Sequence, residues 1–99
     1  MKVTVIYWRD IPSQVAAKAG RKSAKVMLGD RFQEAIDMAA MRDKAHESDA
    51  YLEGWKKGEP VNVEGDMQVV AADKAAEIER AFDEELLRAF VKNGGWRPE

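Results

Sequence analysis

Alternation of hydrophobic and polar positions is clearest at the beginning of the chain. Residues 2–9 alternate and are rich in Val, Ile, Tyr and Trp, which is typical of a β-strand. Val3, Val5 and Tyr7 fall on one face, and the opposite face also becomes apolar toward the end of the segment. This pattern indicates a strand that is covered on both faces at its end. We expect Pro12 to end it.

Residues 14–28 allow two interpretations. Short apolar runs at 14–19 and 23–28 flank a Gly20–Arg21 turn, which predicts a basic β-hairpin. Alanine and lysine are also abundant there and favour helix, so a helix over 14–28 is the alternative. We prefer the hairpin.

Two helices are predicted in the middle of the chain. Asp30 suits an N-cap, with Gln33 placed as in a capping box, and apolar residues follow helical spacing over 30–44. Ser48 is a candidate cap for a second, short helix over 49–57.

The remaining pattern completes an α+β domain. Residues 67–71 predict a short strand, and Asp73 is a candidate cap for a long helix over 74–92 that ends at Gly94 and Gly95. We therefore expect one domain over residues 1–99: a small three-stranded, mainly antiparallel sheet with two to three helices on one face.

Composition excludes several classes of chemistry. The chain has no cysteine, so disulfides, thiolate metal sites and cysteine catalysis are excluded. No apolar run approaches the ~20 residues of a membrane span, and the first strand is too short and β-branched for the apolar region of a signal peptide. We expect a cytoplasmic protein.

Charge is distributed unevenly along the chain. Residues 1–58 carry 11 basic and 8 acidic groups, and residues 59–99 carry 5 and 10. Residues 11–29 contain no acid, and their basic side chains make Arg21, Lys22 and Lys25 candidate ligands for an anion. As a nucleic-acid surface this stretch is weak, since aromatic side chains are absent from it and the second half of the chain is acidic.

The sequence contains no recognisable group of catalytic residues. His46 is the one histidine and has no neighbouring metal-ligand pattern. Asp83, Glu84 and Glu85 are consecutive on a predicted helix, so they diverge around it. We therefore expect no catalytic residues, no metal, no cofactor and no enzymatic activity of its own.

Tryptophan and its neighbours offer a candidate surface for a protein partner. Trp8, Arg9, Tyr51 and Trp55 are residue types that are rich in binding energy at interfaces. The alternative is that the two tryptophans fill the ends of a small core. Whether Trp8 and Arg9 lie in the core or at an interface decides between these interpretations.

Four segments resemble a known family: 5–12 (VIYWRDIP), 20–28 (GRKSAKVML), 31–42 (RFQEAIDMAAMR) and 48–55 (SDAYLEGW). The chain resembles the bacterial virulence factor domain family, whose domain also occurs in conserved virulence factor C proteins. The family has no established catalytic residues to carry over. Its stand-alone proteobacterial members are often encoded near folate- and corrinoid-dependent methyl-transfer genes, which implies an accessory role in one-carbon metabolism.

Three functions are therefore expected, in decreasing order. The first is a non-enzymatic accessory domain that binds a protein partner, for which the resemblance implies a one-carbon metabolism enzyme. The second is a binder of a small anionic, folate-like or phosphorylated ligand through Arg9 and the basic hairpin, and the third is a nucleic-acid binder. The oligomeric state stays open.

Overall fold

The α+β class is confirmed in a computed structural model that describes residues 1–45 and 49–98. The described residues form five strands and four helices, which exceeds the three strands and two to three helices expected from the sequence. The elements are β1 Lys2–Trp8, β2 Ile11–Ala19, β3 Lys22–Met27, α1 Asp30–Arg42, α2 Asp49–Glu53, β4 Trp55–Lys57, β5 Val61–Asn62, α3 Met67–Ala81 and α4 Glu84–Lys92.

The strands form one antiparallel sheet in the order β3-β2-β1-β4. The edge beyond β1 is shared, because β4 pairs with residues 6–8 of β1 and β5 pairs with residues 2–3. Neither of these edge strands was predicted from the sequence. They have three and two residues, too few for alternation to be visible, and only pairing with β1 defines them.

The predicted hairpin over residues 14–28 is confirmed. β2 and β3 pair from Gln14 with Met27 to Ala19 with Lys22. Val15 and Ala17 of β2 are fully buried, so packing on one face of the sheet outweighs the helix propensity of alanine and lysine.

Pro12 lies inside β2 instead of ending the first strand. The register of β1 and β2 shifts at Ile6 and Tyr7, which pair with Gln14 and Pro12, so that Ser13 is the extra residue of a bulge. Proline cannot donate to a strand ladder, and a bulge is one of the few places in a sheet that accepts it.

Helix α3 covers one face of the sheet over β2 and β3, and α1 packs against β2 and α4. Ala71, Ala75 and Ile78 are the buried residues of α3. They lie one and two turns apart on the same side of the helix, and the small side chains of Ala71 and Ala75 let α3 approach the sheet closely.

Helix α1 begins without the predicted capping box. Gly29 occupies the N-cap position with no side-chain cap, and Asp30 is the first helical residue. The Gln33 amide donates to Asp37, 3.0 Å away, instead of turning back to the backbone. A carboxylate from α3 takes its place, since the Gly29 amide donates to Glu79 Oε2 at 2.6 Å.

The predicted helix over residues 49–57 ends early, at Glu53. Gly54 follows as a turn, and Trp55 then pairs with Trp8 as the first residue of β4. Tertiary pairing with β1 thus replaces the last helical turn. The candidate cap Ser48 lies outside the described residues.

The last two sequence assignments were also wrong. Residues 67–71 form the first turns of α3 instead of a strand, and Asp66 caps this helix by accepting a hydrogen bond from the Val69 amide. The expected helix over 74–92 is interrupted at Phe82, and Asp83 caps a separate α4. A short apolar run does not distinguish a strand from a buried helical segment.

The helix break predicts different effects for two aspartates. Asp83→Ala removes the acceptor that lies 2.8 Å from the Leu86 amide, and we expect a loss of about 1 kcal/mol in the free energy of unfolding. Asp73→Ala changes an exposed position inside α3, and we expect no loss or a gain of some tenths of a kcal/mol. Urea unfolding measures both. The reverse order would contradict a helix boundary at Asp83.

Candidate functional site

The turn between β1 and β2 has a backbone conformation that is unusual for its residue type. Arg9 has a φ of 53°, in the left-handed region that costs a residue other than glycine roughly 1–2 kcal/mol. Such a conformation persists only where surrounding contacts hold it. The contacts of Arg9 and Asp10 meet this condition.

The Arg9 side chain connects distant parts of the chain. Its Nη1 donates to Asp43 Oδ2 at 2.7 Å and to the Gly94 carbonyl at 2.6 Å. Its guanidinium carbon lies 4.6 Å from the ring centroid of Trp8 and 5.3 Å from that of Trp96. A planar guanidinium suits both kinds of contact at once. The end of α1 and the segment after α4 are thereby held to the β1–β2 turn.

Both backbone amides of the turn also donate hydrogen bonds. The Arg9 amide donates to the Gly54 carbonyl at 2.7 Å, and the Asp10 amide donates to the Gly95 carbonyl at 2.8 Å. Gly95 has a φ of 92°, and a Cβ there would lie 2.7 Å from the Trp8 ring. Glycine is required at this position for both reasons.

Asp10 ties the turn to β4 and to the C-terminal segment. Its Oδ1 accepts from Lys56 Nζ at 3.2 Å, and its Oδ2 accepts from the Arg97 amide at 2.7 Å. Burial would raise the pKa of Asp10, but the hydrogen bonds from Arg97 and Lys56 and their positive charges outweigh it. The pKa of Asp10 is therefore below its ordinary value.

Trp8 and Arg9 belong to the core. Trp8 is 0% exposed and Arg9 is 8% exposed. The Trp8 indole Nε1 donates to the Tyr51 carbonyl at 2.8 Å, and a Cβ on Gly54 would lie 2.5 Å from that nitrogen. Trp8 therefore has no exposed surface to offer a partner.

Tyr51 and Trp55 lie beside the turn but keep part of their surface accessible. Their ring centroids are 6.0 Å apart in an edge-to-face arrangement, and Tyr51 is 5.9 Å from Trp8. The structure thus brings the four predicted partner-binding residues together, with Tyr51 and Trp55 half-buried. Leu52, which follows Tyr51 in the chain, is 70% exposed, and Trp96, whose ring lies near Arg9 and Lys56, is 49% exposed.

The face of the sheet opposite α3 carries four lysines around an apolar centre. Ile6 and Ala16, with Thr4 opposite Ala16, line a shallow depression between these lysines, and no described acidic residue lines it. The lysine ammonium groups form no ion pair with any described residue. We call this surface the basic face; its lysines are Lys2, Lys18, Lys25 and Lys57.

The three predicted anion-binding residues do not converge on this face. Lys25 belongs to it, whereas Lys22 is three positions away on β3 and therefore projects to the other side. Arg21 lies in the turn between β2 and β3. Lys2 and Lys57 were not predicted to belong to this surface, because only strand pairing brings them beside the hairpin.

Within residues 1–45 and 49–98, no group of three His, Cys, Asp or Glu side chains is arranged to hold a metal ion. His46 lies outside the described residues. Over the same part of the chain, no helix combines the length and apolar character needed to cross a membrane.

Comparison with known families gives the class of this α+β domain. The family model described as "Virulence factor" matches residues 6–91. The chain therefore belongs to the virulence factor domain family. No curated protein and no solved structure matches it.

Backbone strain at the β1–β2 turn predicts an ordering of two substitutions. Arg9→Ala and Arg9→Gly both remove the contacts to Asp43 and Gly94, so each should lower the free energy of unfolding by about 2 kcal/mol or more. Glycine adopts the φ of 53° without penalty. We therefore expect Arg9→Gly to be the more stable by about 1 kcal/mol in urea unfolding. Equal stabilities, or a more stable alanine variant, would contradict strain at this residue.

The lowered pKa of Asp10 predicts a pH-dependent contribution to stability. A depressed carboxyl pKa stabilises the fold above the unfolded-state value of about 4 and ceases to do so as the pH falls through the folded-state value. Asp10→Asn should be less stable than the wild type at pH 7, by no more than about 1 kcal/mol because both partners are partly exposed. The gap should close toward pH 2.5 in thermal unfolding; a constant gap would show that the charge is not involved.

Proposed function

We propose that the protein is a non-enzymatic accessory domain that binds an acidic surface of a protein partner on its basic face. One observation carries this proposal: four lysines surround an apolar centre, and none of them is paired with a described acid. Within a folded domain, unpaired charges of one sign favour a partner of the opposite sign.

Apolar side chains on the same face supply the burial that a lasting contact needs. Ile6 and Ala16 are half-buried, and Met27 is 61% exposed on β3. Trp55 lies two residues from Lys57 on β4, so it projects to the same face. An apolar centre with a charged rim is the usual anatomy of a protein interface.

The two faces of the domain would orient the partner. Residues 59–99, which include α3 and α4, carry twice as many acidic as basic groups. A partner with an acidic surface is attracted to the basic face and repelled by the helical side, which raises the rate of correctly oriented encounters.

An enzyme of folate- or corrinoid-dependent one-carbon metabolism is the partner that we propose, in the cytoplasm. This choice of partner is supported by the genomic neighbourhood that membership of the virulence factor family implies. The basic face further requires that the partner present carboxylates on its surface.

A small anionic ligand is the alternative. The depression on the basic face measures about 770 Å³, within the range of small-molecule sites, and its lysines suit folate-like or phosphorylated compounds. A thermal-shift series with folates and phosphorylated metabolites tests it, because a bound ligand raises the unfolding temperature. Nucleic acid is the third and least favoured occupant, since the acidic helical side repels phosphates.

Opposite sides of the hairpin allow a matched test of the basic face. Lys18→Glu/Lys25→Glu reverses two charges on the face, and Lys22→Glu with Lys44→Glu reverses two exposed charges elsewhere. We expect at least a tenfold loss of affinity for a glutamate-rich peptide in the first variant and less than threefold in the second. Isothermal titration calorimetry measures the affinities, and amide shifts at Thr4, Ile6 and Ala16 locate the contact.

The same two variants identify the partner. A protein captured from the native host by the wild type should not be captured by Lys18→Glu/Lys25→Glu and should still be captured by Lys22→Glu/Lys44→Glu. Once purified, this protein should bind the wild type again. Equal losses in both variants would reduce the effect to net charge and overturn the proposal. Tighter binding of single-stranded DNA than of the peptide would favour the nucleic-acid alternative instead.

A further inference from the structure

A second concave site lies on the opposite face of the sheet from the basic face. Its volume is about 560 Å³, a size typical of small-molecule sites. Val3, Val5 and Tyr7 of β1 line it, and the segment 58–64 forms one wall.

The position of α3 explains why this cavity is open. Helix α3 packs mainly over β2 and β3, so the cavity opens beside the helix, toward β5 and the segment 58–64. At its floor, Val3 and Val5 are 5% and 8% exposed. The second wall is a single face of α3, because Val70, Asp73, Lys74 and Glu77 lie at helical spacing. Val61 is 59% exposed, so apolar surface remains accessible here.

Carboxylates dominate the rim. Four acidic side chains and one lysine line the cavity, and that lysine, Lys74, is already paired with Glu77 at 3.4 Å. The other three carboxylates form no ion pair with any described residue. These three are Glu59, Glu64 and Asp73.

Tyr7 adds an aromatic wall to this acidic site. Its hydroxyl has no hydrogen-bond partner among the described residues, and its ring faces Gly58 so closely that a Cβ there would lie 2.9 Å from it. An aromatic ring and unpaired carboxylates both favour a positive charge. The valines favour a hydrocarbon body.

We propose that this cavity binds a small organic cation with an apolar body, such as a hydrophobic amine. The valines and Tyr7 bury the hydrocarbon, and Glu59, Glu64 and Asp73 hold the ammonium group at the rim. Anions of the same shape are rejected by these carboxylates. This site requires neither the basic face nor the partner proposed above.

A pair of probes with one apolar body and opposite charges tests the proposal. 2-(1-Naphthyl)ethylamine should shift amide resonances of residues 58–64 and 70–77 in a two-dimensional NMR titration of the full chain. 1-Naphthylacetate should bind at least tenfold more weakly. Glu64→Gln/Asp73→Asn should weaken amine binding about three- to tenfold, since each removes one exposed charge near the ammonium group.

Glu84→Gln/Glu85→Gln is the matched control, because it removes two exposed charges on α4, away from the cavity, and should leave the amine affinity unchanged. All four positions are exposed, so both variants should fold. Equal binding of amine and carboxylate, shifts located elsewhere, or no shifts up to 10 mM amine would overturn the proposal. Binding of a lysine-rich peptide at the cavity without binding of the amine would also overturn it.

Discussion

The arrangement of the other elements depends on the contacts of the Arg9 guanidinium. It lies between the rings of Trp8 and Trp96 and donates to Asp43 and to the Gly94 carbonyl. The residue sits in a strained two-residue turn, and the turn's own amides hold Gly54 and Gly95. One short loop therefore fixes the end of α1, the start of β4 and the chain after α4 around the first hairpin. A sheet with such short edge strands needs this anchoring.

The sheet divides the domain into two surfaces of opposite charge. Helix α3 packs on one face over β2 and β3, the other face carries the basic face, and the acidic cavity opens between α3 and the segment 58–64. The charged side chains of both surfaces are exposed and lie on a scaffold that the β1–β2 turn stabilises. Substitutions on either surface can therefore test binding without disturbing the core, which substitutions at Trp8 cannot.

Membership of the virulence factor family and the α+β class were both predicted from the sequence; the resemblance was based on continuous segments such as residues 5–12 and 31–42, and the family match covers residues 6–91. The surroundings of the residues predicted to bind a partner could be foreseen only in part. Trp8 and Arg9 have the composition of an interface, yet they are buried, since the same residue types that give binding energy also fill small cores. Lys2 and Lys57 could not be linked to the hairpin, because they are 55 positions apart in the chain.

Alternation alone determined β1, and helical spacing determined α1, because these segments carry a local pattern of burial. The sequence favoured the hairpin of β2 and β3 over a helix, and packing of Val15 and Ala17 against the core decided between them. Tertiary structure decided the rest. Residues 55–57 became a strand because β1 offered a free edge. Residues 67–71 became a helix in which Met67, Val70 and Ala71 lie one turn apart and pack against the core, while Val69 is exposed. Tertiary structure also decided the role of Trp8 and Arg9: residues that come later in the chain, Gly54, Gly94 and Gly95, enclose them, and no local pattern reports such contacts.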